Sequence, residues 1–457
     1  METSSSNWND LINTRVISNI PKLQYTSKLP NYKHKYTMES MRVSRLDLQV
    51  YSIDPEGCTD ADDAFSIWED DNIVHLMIHI ADPTSYFEPT EEDEYFKCVH
   101  NNITSWYPSG NPTRHMFSDN LVEYCTLTHG IRNTITVYLQ FKRNTDDTSS
   151  FTILNSSIHY FIIDCDNQKR FTYENAGKAL STDTTLQLGD EIRQFLYKQR
   201  STGNSFVEKA QEELKYDNVY VKPTNEVVIY RDEDNTRKMK YMIQEFAIIG
   251  NSIVARELVN KTSYLLRSFK ITPTNNSTTE DHSLLSTILK SSGASYTNEK
   301  QQHDLIGNDM YTHFTSPLRR FSDCIVHFML KDYSIGDECV FSKEQLINMS
   351  DRCNTVSKCA KKLSFEDKKL RYLQYINQQI DSGNEITITY KPYAYNGLFL
   401  NILIHKINDW NVYFTYSLRR KHKNIKLNDD KCIKLSSIKI PSKFDEGTLP
   451  ELDAMFT

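Results

Sequence analysis

The segment SIDPEGCTDADD, residues 52–63, places four aspartates within ten positions, directly after a stretch with the pattern of a β-strand. The four are Asp54, Asp60, Asp62 and Asp63. Carboxylates this close repel one another, so without a partner some would take up protons or the segment would stay extended in water. Two interpretations follow: a solvated acidic turn, or a site where the carboxylates converge on hard cations such as Mg²⁺.

The residues around this segment weaken the first interpretation, because they place the turn next to a core. These apolar neighbours are Val50, Ile53, Phe65 and Ile67. The ligand spacing and the glycine position do not match a calcium-binding helix–loop–helix. Two divalent ions about 4 Å apart in such a carboxylate nest would stabilise both the attacking and the leaving oxygen of a displacement at phosphorus.

Bulk composition indicates a soluble globular protein: of 457 residues, 39% are hydrophobic and 25% charged. The start of the chain lacks a secretory layout, and no apolar run is long enough to cross a bilayer. The net charge of −7 argues only mildly against a nucleic-acid partner, since a polyanion responds to the local field in a groove. Nine cysteines without a C-x-x-C pair predict reduced thiols and a cytoplasmic location.

The chain divides into three predicted regions. Residues 1–44 are polar and basic with little periodicity, and we interpret them as an irregular arm. Residues 45–383 begin with alternating, strand-like patterns and continue with helical ones, as expected for one α+β domain. Residues 384–457 return to alternation and turns, which predicts a small all-β module.

Several elements are predicted within these regions. Residues 72–83, 134–141 and 156–164 have strand patterns; in the first, one face carries Val74, Leu76, Ile78 and Ile80. Residues 240–261 predict a core-facing helix, with a stripe of Met242, Phe246, Ile249 and Ile253. A third helix, predicted from about residue 358, is broken by Asp381, Ser382 and Gly383.

The segment YTHFTSPLRRFSDCIVHFML, residues 311–330, predicts a helix with Ser316 at its N-cap and two arginines in its first turn. A helix N-terminus attracts phosphate, and the planar fork of Arg319 suits two phosphate oxygens. Arg319, Asp323 and His327 would then form a polar stripe. An Arg/Asp pair at this spacing is often a surface ion pair, and we expect a structural role for His327.

At this point the sequence resembles a known family. RLDLQVYSIDPEGCTDADDAFSI and YTHFTSPLRRFSDCIVHF are similar to the two signature regions of the RNB catalytic domain, found in ribonuclease II, ribonuclease R and the related exosome nuclease. The resemblance spans residues 45 to about 380. Further matching segments lie between the signatures, in the same order: HLMIHIADPTSYF, EYCTLTHG, KRFTYENA and MIQEFAIIGNSIVAREL.

The resemblance implies an RNB-type catalytic domain of mixed sheets and packed helices, followed by an OB-like module. It implies a processive 3′→5′ hydrolytic exoribonuclease that degrades single-stranded RNA to nucleoside 5′-monophosphates. The four aspartates would hold two Mg²⁺ ions, for which Mn²⁺ would substitute. Asp62 and Arg319 would be catalytic. Glu245 would lie near a ribose 2′-hydroxyl, which separates RNA from DNA. The residues expected to bind RNA are Trp106, Tyr107, Glu245, Asn251, Ser316, Arg319 and Arg320, with Trp106 or Tyr107 stacking on the terminal base.

The sequence also departs from the family pattern. Residues 1–44 cannot hold the cold-shock-type barrels that usually precede the domain, so a helper protein is a possible partner; no membrane partner is expected, and oligomeric state is not predicted. Phe269 stands where a histidine is usual. The basic run at residues 419–426 would suit a single strand or a solvated hairpin. Two alternatives stay open: a catalytically weak RNB-like RNA-binding scaffold, and a phosphodiesterase acting on small nucleotides.

Overall fold

The structure is a computed structural model. It describes residues 2–30, 32–144, 150–202, 204, 207, 216–261, 263–270, 293–397, 399–419, 426–427, 429–440 and 450–455. Most of the basic run predicted at residues 419–426 lies outside these ranges.

Helices and strands follow one another in the order expected for an α+β chain. The helices are α1 Glu2–Arg15, α2 Glu94–Asn102, α3 Asp119–Cys125, α4 Tyr173–Ala179, α5 Thr184–Ser201, α6 Asp234–Val259, α7 Phe321–Ser334 and α8 Lys343–Asp381. The strands of the catalytic region are β1 Val43–Ser44, β2 Tyr51–Asp54, β3 Asp63–Asp70, β4 Ile73–Ala81, β5 Ile131–Arg143, β6 Phe151–Asp164, β7 Lys169–Thr172, β8 Asn218–Val221, β9 Val227–Tyr230, β10 Leu266–Ser268 and β11 Ser295–Thr297. The C-terminal strands are β12 Ile386–Asn396, β13 Phe399–Ile407, β14 Trp410–Arg419, β15 Lys431–Lys439 and β16 Glu451–Met455.

A mixed sheet forms the framework of the catalytic region. Among the described residues, seven strands pair in the order β1-β6-β5-β4-β3-β2-β7. The pairs β1–β6 and β2–β7 are parallel and the others antiparallel. The predicted inner face of β4 is confirmed, since its four apolar residues are all buried. Because the aspartate segment joins β2 to β3, two neighbouring strands fix both of its ends.

The helices α6 and α8 were predicted in part. The predicted stripe on α6 is confirmed, with Met242 and Phe246 in the core and Ile249 and Ile253 packed against it. Helix α8 ends at Asp381, as predicted, but begins well before the predicted start. Its N-terminus is a capping box, in which the Ser342 side chain accepts from the Gln345 N–H. The Gln345 side chain in turn accepts from the Ser342 N–H.

The C-terminal module is a curled all-β sheet, with described strands in the order β14-β13-β12-β15-β16. This resembles an OB-like half-barrel and confirms the predicted α+β class with a β-rich C-terminal region. The core of this module also includes α8 residues such as Leu370 and Tyr372. The boundaries predicted at residues 44 and 383 stay predictions.

The first residues of the chain are helical where an irregular arm was expected. In α1, Trp8, Leu11 and Ile12 are buried in the core of the C-terminal module. The Arg15 guanidinium lies 2.8 Å from the Glu366 carboxylate of α8. The prediction of irregular structure was wrong for these residues because tertiary packing, rather than local propensity, supplies most of the stability of a short helix.

A buried ionic cluster fastens residues 36–42 beneath the sheet. Asp82, just after β4, accepts hydrogen bonds from Lys331 Nζ at 2.7 Å and from the Arg42 guanidinium. Lys331 also donates to the Tyr36 carbonyl oxygen at 2.7 Å. Burial would raise the pKa of Asp82, but the neighbouring Lys331 and Arg42 charges hold it well below its ordinary value. The cluster thereby joins the N-terminal segment, β4 and α7.

No helix in the described part of the chain is long and apolar enough to cross a membrane.

Candidate metal and RNA site

The aspartate segment and the arginine segment, far apart in sequence, meet in the structure. The Asp62 carboxylate accepts from the Leu318 backbone N–H at 2.7 Å and from Arg319 Nε at 3.0 Å. The arginine segment is also tied to the chain after α2, where Thr104 and Arg320 form an antiparallel bridge. These contacts hold Asp62, directly before β3, against Arg319, in the turn before α7.

Three of the four aspartates are strongly desolvated. Burial raises the pKa of Asp62 to about 8, although the Arg319 charge opposes it. Burial and the nearby Asp54 charge raise the pKa of Asp63 to about 7. Burial likewise raises the pKa of Asp54 to about 6, against the opposing charge of Arg170. At neutral pH the ionised forms of these groups are therefore costly unless a cation compensates them.

Asp60 differs from the other three because two side chains hold its carboxylate. Its Oδ2 accepts a hydrogen bond of 2.6 Å from the Tyr107 hydroxyl. The Nδ1 of His115 lies 3.4 Å from the same oxygen. Burial would raise the pKa of Asp60, but these neighbours hold it below its ordinary value. Asp60 is thus the member of the cluster that stays ionised without help from a metal.

The donor chemistry of this cluster suits a hard divalent cation. Carboxylate oxygens are the ligands that Mg²⁺ and Mn²⁺ prefer, and Asp54 Oδ2 is buried without a hydrogen-bond partner among the described residues. In the described part of the chain, no three His, Cys, Asp or Glu side chains lie close enough together to hold a metal ion. The argument for a cation therefore rests on the oxygen donors and their desolvation, and the assignment of four metal ligands stays a prediction.

The two arginines have different environments. Arg319 leaves 45% of its side chain exposed, so it can contact a ligand. Arg320 is largely covered, with 21% exposed, and donates to the fully buried Asp323 at 2.7 Å. Ser316 is buried, accepts from Arg319 Nη2 at 2.8 Å and donates its N–H to Asp323. Arg320 and Ser316 therefore make contacts within the protein.

The helix predicted to start at Ser316 begins instead at Phe321, with Arg320 as the N-cap residue. The Ser316 hydroxyl bonds to the Arg319 guanidinium rather than to helix N–H groups, which explains the later start. Arg319 is therefore outside the helix, and the predicted polar stripe with Asp323 and His327 does not form. His327 is fully buried and lies 3.0 Å from the Phe314 carbonyl oxygen, consistent with the structural role expected for it.

Glu245 and Asn251 of α6 lie in the interior. Glu245 is 2% exposed and accepts hydrogen bonds from Nε and Nη2 of Arg200. Asn251 donates to the Tyr311 hydroxyl at 3.0 Å and accepts from the Phe314 N–H at 2.8 Å. Both side chains therefore have protein partners, and their predicted contacts with RNA stay predictions.

The structure distinguishes between the two candidate stacking residues. Trp106 is 4% exposed, and its backbone forms two hydrogen bonds of 2.9 Å with Arg114. Tyr107 is 51% exposed, with its hydroxyl fixed on Asp60. Of the pair, only Tyr107 offers a ring to a ligand.

Two residues at the site were not singled out from sequence. His115 comes close to Asp60 only because the chain folds back on itself between Trp106 and Arg114, which no local pattern indicates. Arg170 donates to the Cys58 carbonyl oxygen at 2.8 Å and so braces the aspartate segment. The sequence offered one indication of this role, which is the position of Arg170 inside the KRFTYENA segment.

Comparison with known proteins identifies the family to which the chain belongs. The RNB domain family model matches residues 42–336, well over half of the chain. The chain belongs to the RNB domain family.

Curated relatives cover most of this chain at low identity. Ribonuclease R of Chlamydia trachomatis is 25% identical over 402 residues, covering 76% of this chain and 54% of the relative. A probable exosome complex exonuclease RRP44 of Caenorhabditis elegans is 25% identical over 393 residues, covering 74% of this chain and 39% of the relative. The chain thus spans about half the length of the first curated relatives it matches.

Solved structures show the same fold. An active-site mutant of the Dss1 exoribonuclease from Candida glabrata aligns with a TM-score of 0.73 at 18% identity, covering 89% of this chain and 55% of that one. Mycoplasma genitalium RNase R bound to ribose-methylated single-stranded RNA gives 0.71 at 16% identity, covering 98% and 78%. Yeast Ssd1, described as a pseudonuclease, gives 0.62 at 17% identity, covering 86% and 52%.

Proposed function

We propose that this protein is a divalent-metal-dependent 3′→5′ exoribonuclease that processively degrades single-stranded RNA to nucleoside 5′-monophosphates. The observation that carries the proposal is the direct contact between Asp62 and Arg319, in a cluster of carboxyl groups whose pKa values are raised by desolvation. Relatives named as ribonucleases or exonucleases, and a similar fold bound to single-stranded RNA, support the same activity.

Each residue has a role in this proposal. Asp54, Asp60, Asp62 and Asp63 hold the cations, Mg²⁺ or Mn²⁺. When bound, such ions supply Lewis acidity at the phosphate and lower the pKa of a water nucleophile. The exposed side of the Arg319 guanidinium contacts an oxygen of the scissile phosphate and stabilises the charge that develops there. Tyr107 stacks on the base of the 3′-terminal nucleotide, which positions the terminal bond for hydrolysis.

The remaining predictions are also part of this proposal. The free thiols of all nine cysteines suit a reducing compartment such as the cytoplasm. RNA is the expected partner, and the relative named as an exosome subunit makes a helper protein a reasonable addition.

The test is cleavage of a 5′-labelled single-stranded RNA with Mg²⁺, compared with EDTA and with Asp62→Asn. We expect shortening from the 3′ end to a small core in the wild type, and none in the two comparisons. RNA affinity should change little in Asp62→Asn, since Asn keeps an acceptor for the Leu318 N–H. DNA of the same sequence should survive.

The matched control is Asp47→Asn, which removes one charge from an exposed aspartate that forms a surface ion pair with the partly buried Arg45. It should leave cleavage at the wild-type rate. Equal loss of binding and cleavage in Asp62→Asn would contradict the role given to Asp62.

A second candidate is an RNA-binding protein with little or no nuclease activity. Similarity to the pseudonuclease Ssd1 shows that this fold also serves a protein so described. Intact RNA with a retained gel shift in the same experiment would select this candidate. Cleavage of dinucleotides alone would instead select the small-nucleotide phosphodiesterase.

A further inference from the structure

Tyr107 faces two ways in the structure. Its hydroxyl donates to Asp60 Oδ2 at 2.6 Å, while the residue stays 51% exposed. The same side chain can therefore hold an acidic residue of the site and present a ring to solvent. A hydrogen bond this short to a carboxylate is of the charge-assisted, stronger kind.

The opposite arm of the same loop carries a second contact to Asp60. Trp106 and Arg114 pair as an antiparallel bridge. Tyr107 directly follows the first of these residues in the chain, and His115 directly follows the second. His115 Nδ1 lies 3.4 Å from Asp60 Oδ2 and is buried without an aligned hydrogen bond among the described residues. Its carbonyl oxygen accepts from the Tyr25 hydroxyl at 2.7 Å, which fastens the loop from outside.

The Asp60 carboxylate is therefore held at one of its two oxygens. Both contacts converge on Oδ2, whereas Oδ1 accepts a long hydrogen bond of 3.7 Å from the weak donor Cys58 Sγ. Oδ1 is therefore the oxygen available to a cation. Because the Tyr107 hydroxyl is bonded to Oδ2, a ligand that restrains the Tyr107 ring also restrains the orientation of the Asp60 carboxylate, including Oδ1.

We propose that the Tyr107 hydroxyl couples stacking of the 3′-terminal base to cation binding at Asp60, with His115 as a positioning residue for the same carboxylate. This inference rests on the proposed function and adds a regulatory link within its site. Coupling between two ligands is reciprocal, so a stacked base tightens cation binding by the same factor by which the cation tightens RNA binding.

The test measures Mn²⁺ affinity directly, by electron paramagnetic resonance of free Mn²⁺. Titrations are made without RNA, with a ribose-methylated RNA that resists cleavage, and with the same RNA lacking its 3′-terminal base. We expect the complete RNA to tighten Mn²⁺ binding about fivefold or more relative to the abasic RNA, the lower end of typical coupling. In Tyr107→Phe, which keeps the ring, this difference should vanish, while RNA affinity measured without Mn²⁺ changes less than about twofold.

His115 is tested by a pair of substitutions. His115→Ala should weaken Mn²⁺ binding with and without RNA, whereas His115→Asn, whose amide nitrogen can occupy the place of Nδ1, should restore most of it. The control is Tyr220→Phe, which removes a hydroxyl from a tyrosine that is 52% exposed on β8. It should match the wild type in every titration.

The outcomes separate the inference from the function on which it rests. If the wild type binds Mn²⁺ equally with both RNAs, or Tyr107→Phe keeps the difference, the coupling is refuted and the nuclease proposal stands. Identical Mn²⁺ affinity in His115→Ala and wild type refutes the positioning role. If the wild type binds no Mn²⁺ under any condition, the proposed metal-dependent function itself fails.

Discussion

Asp54 and Asp62 are buried and Asp63 is partly buried, and their pKa values, about 6, 8 and 7, are raised chiefly by desolvation. A carboxyl group whose pKa is higher in the folded than in the unfolded chain stabilises the fold while protonated. That contribution is complete below about pH 4 and is lost as pH rises through the folded values. A bound divalent cation should reverse the loss, because it requires the ionised forms.

This predicts an unusual pH dependence of stability. In EDTA, the thermal unfolding midpoint should fall as pH rises from 5 to about 8.5, and Mg²⁺ should raise it most at the high end. Differential scanning fluorimetry across this range measures both effects. Asp62→Asn, which cannot ionise, should flatten the EDTA curve; a wild-type midpoint that is independent of pH in EDTA would contradict the burial argument.

Neighbouring arginines should give opposite phenotypes. Arg320→Ala leaves the fully buried Asp323 without its cationic partner, which should cost about 3–5 kcal/mol of unfolding free energy. Arg319→Ala removes a half-exposed side chain, and its buried partner Asp62 can take up a proton because its pKa is raised to about 8. The substitution should therefore cost only about 1 kcal/mol while abolishing cleavage. Urea unfolding and RNA cleavage on the same samples separate the two effects. Equal destabilisation by the two substitutions would argue against this division of roles.

At the scale of elements, sequence periodicity predicts the strands and helices that bury one apolar face. The alternation in β4 and the apolar stripe on α6 appear as expected, because one face of each packs on the core. The cluster of aspartates and its meeting with Arg319 could also be anticipated, since complementary charge brings them together.

Other elements depend on contacts that no local pattern contains. The turn before α7 replaces the predicted helix start because Ser316 and Leu318 bond to Asp323 and to Asp62. The position of His115 depends on the bridge between Trp106 and Arg114. Both depend on partners distant in sequence.

Helix α1 is the clearest case, and it makes a prediction of its own. Trp8 is 2% exposed within the core of the C-terminal module, so Trp8→Ala should cost about 3–5 kcal/mol. Asn9→Ala, an exposed neighbour on the same helix, should stay within about 0.5 kcal/mol of wild type. Chemical denaturation measures both. A small effect of Trp8→Ala would mean that α1 docks without contributing to the core.

At the scale of the whole molecule, the C-terminal module shares its core with α1 and α8. Deleting residues 384–457 would expose the buried faces of both helices, including Leu373 and Ile376. We therefore expect the shortened chain to be poorly soluble or to unfold at a clearly lower temperature. Soluble yield and calorimetry test this; a shortened chain with the wild-type unfolding temperature would show that the catalytic region is independent.

Because α1 docks on the C-terminal module, it cannot be buried until the end of the chain has been synthesised. Residues 2–15 are synthesised long before residues 386–438 that complete their binding surface. At about 5–20 residues per second, the interval is on the order of tens of seconds. Throughout that time Trp8, Leu11 and Ile12 lack the surface that buries them, on a segment too short to be stably helical alone. We therefore expect the nascent chain to expose this apolar segment until its last strands are made.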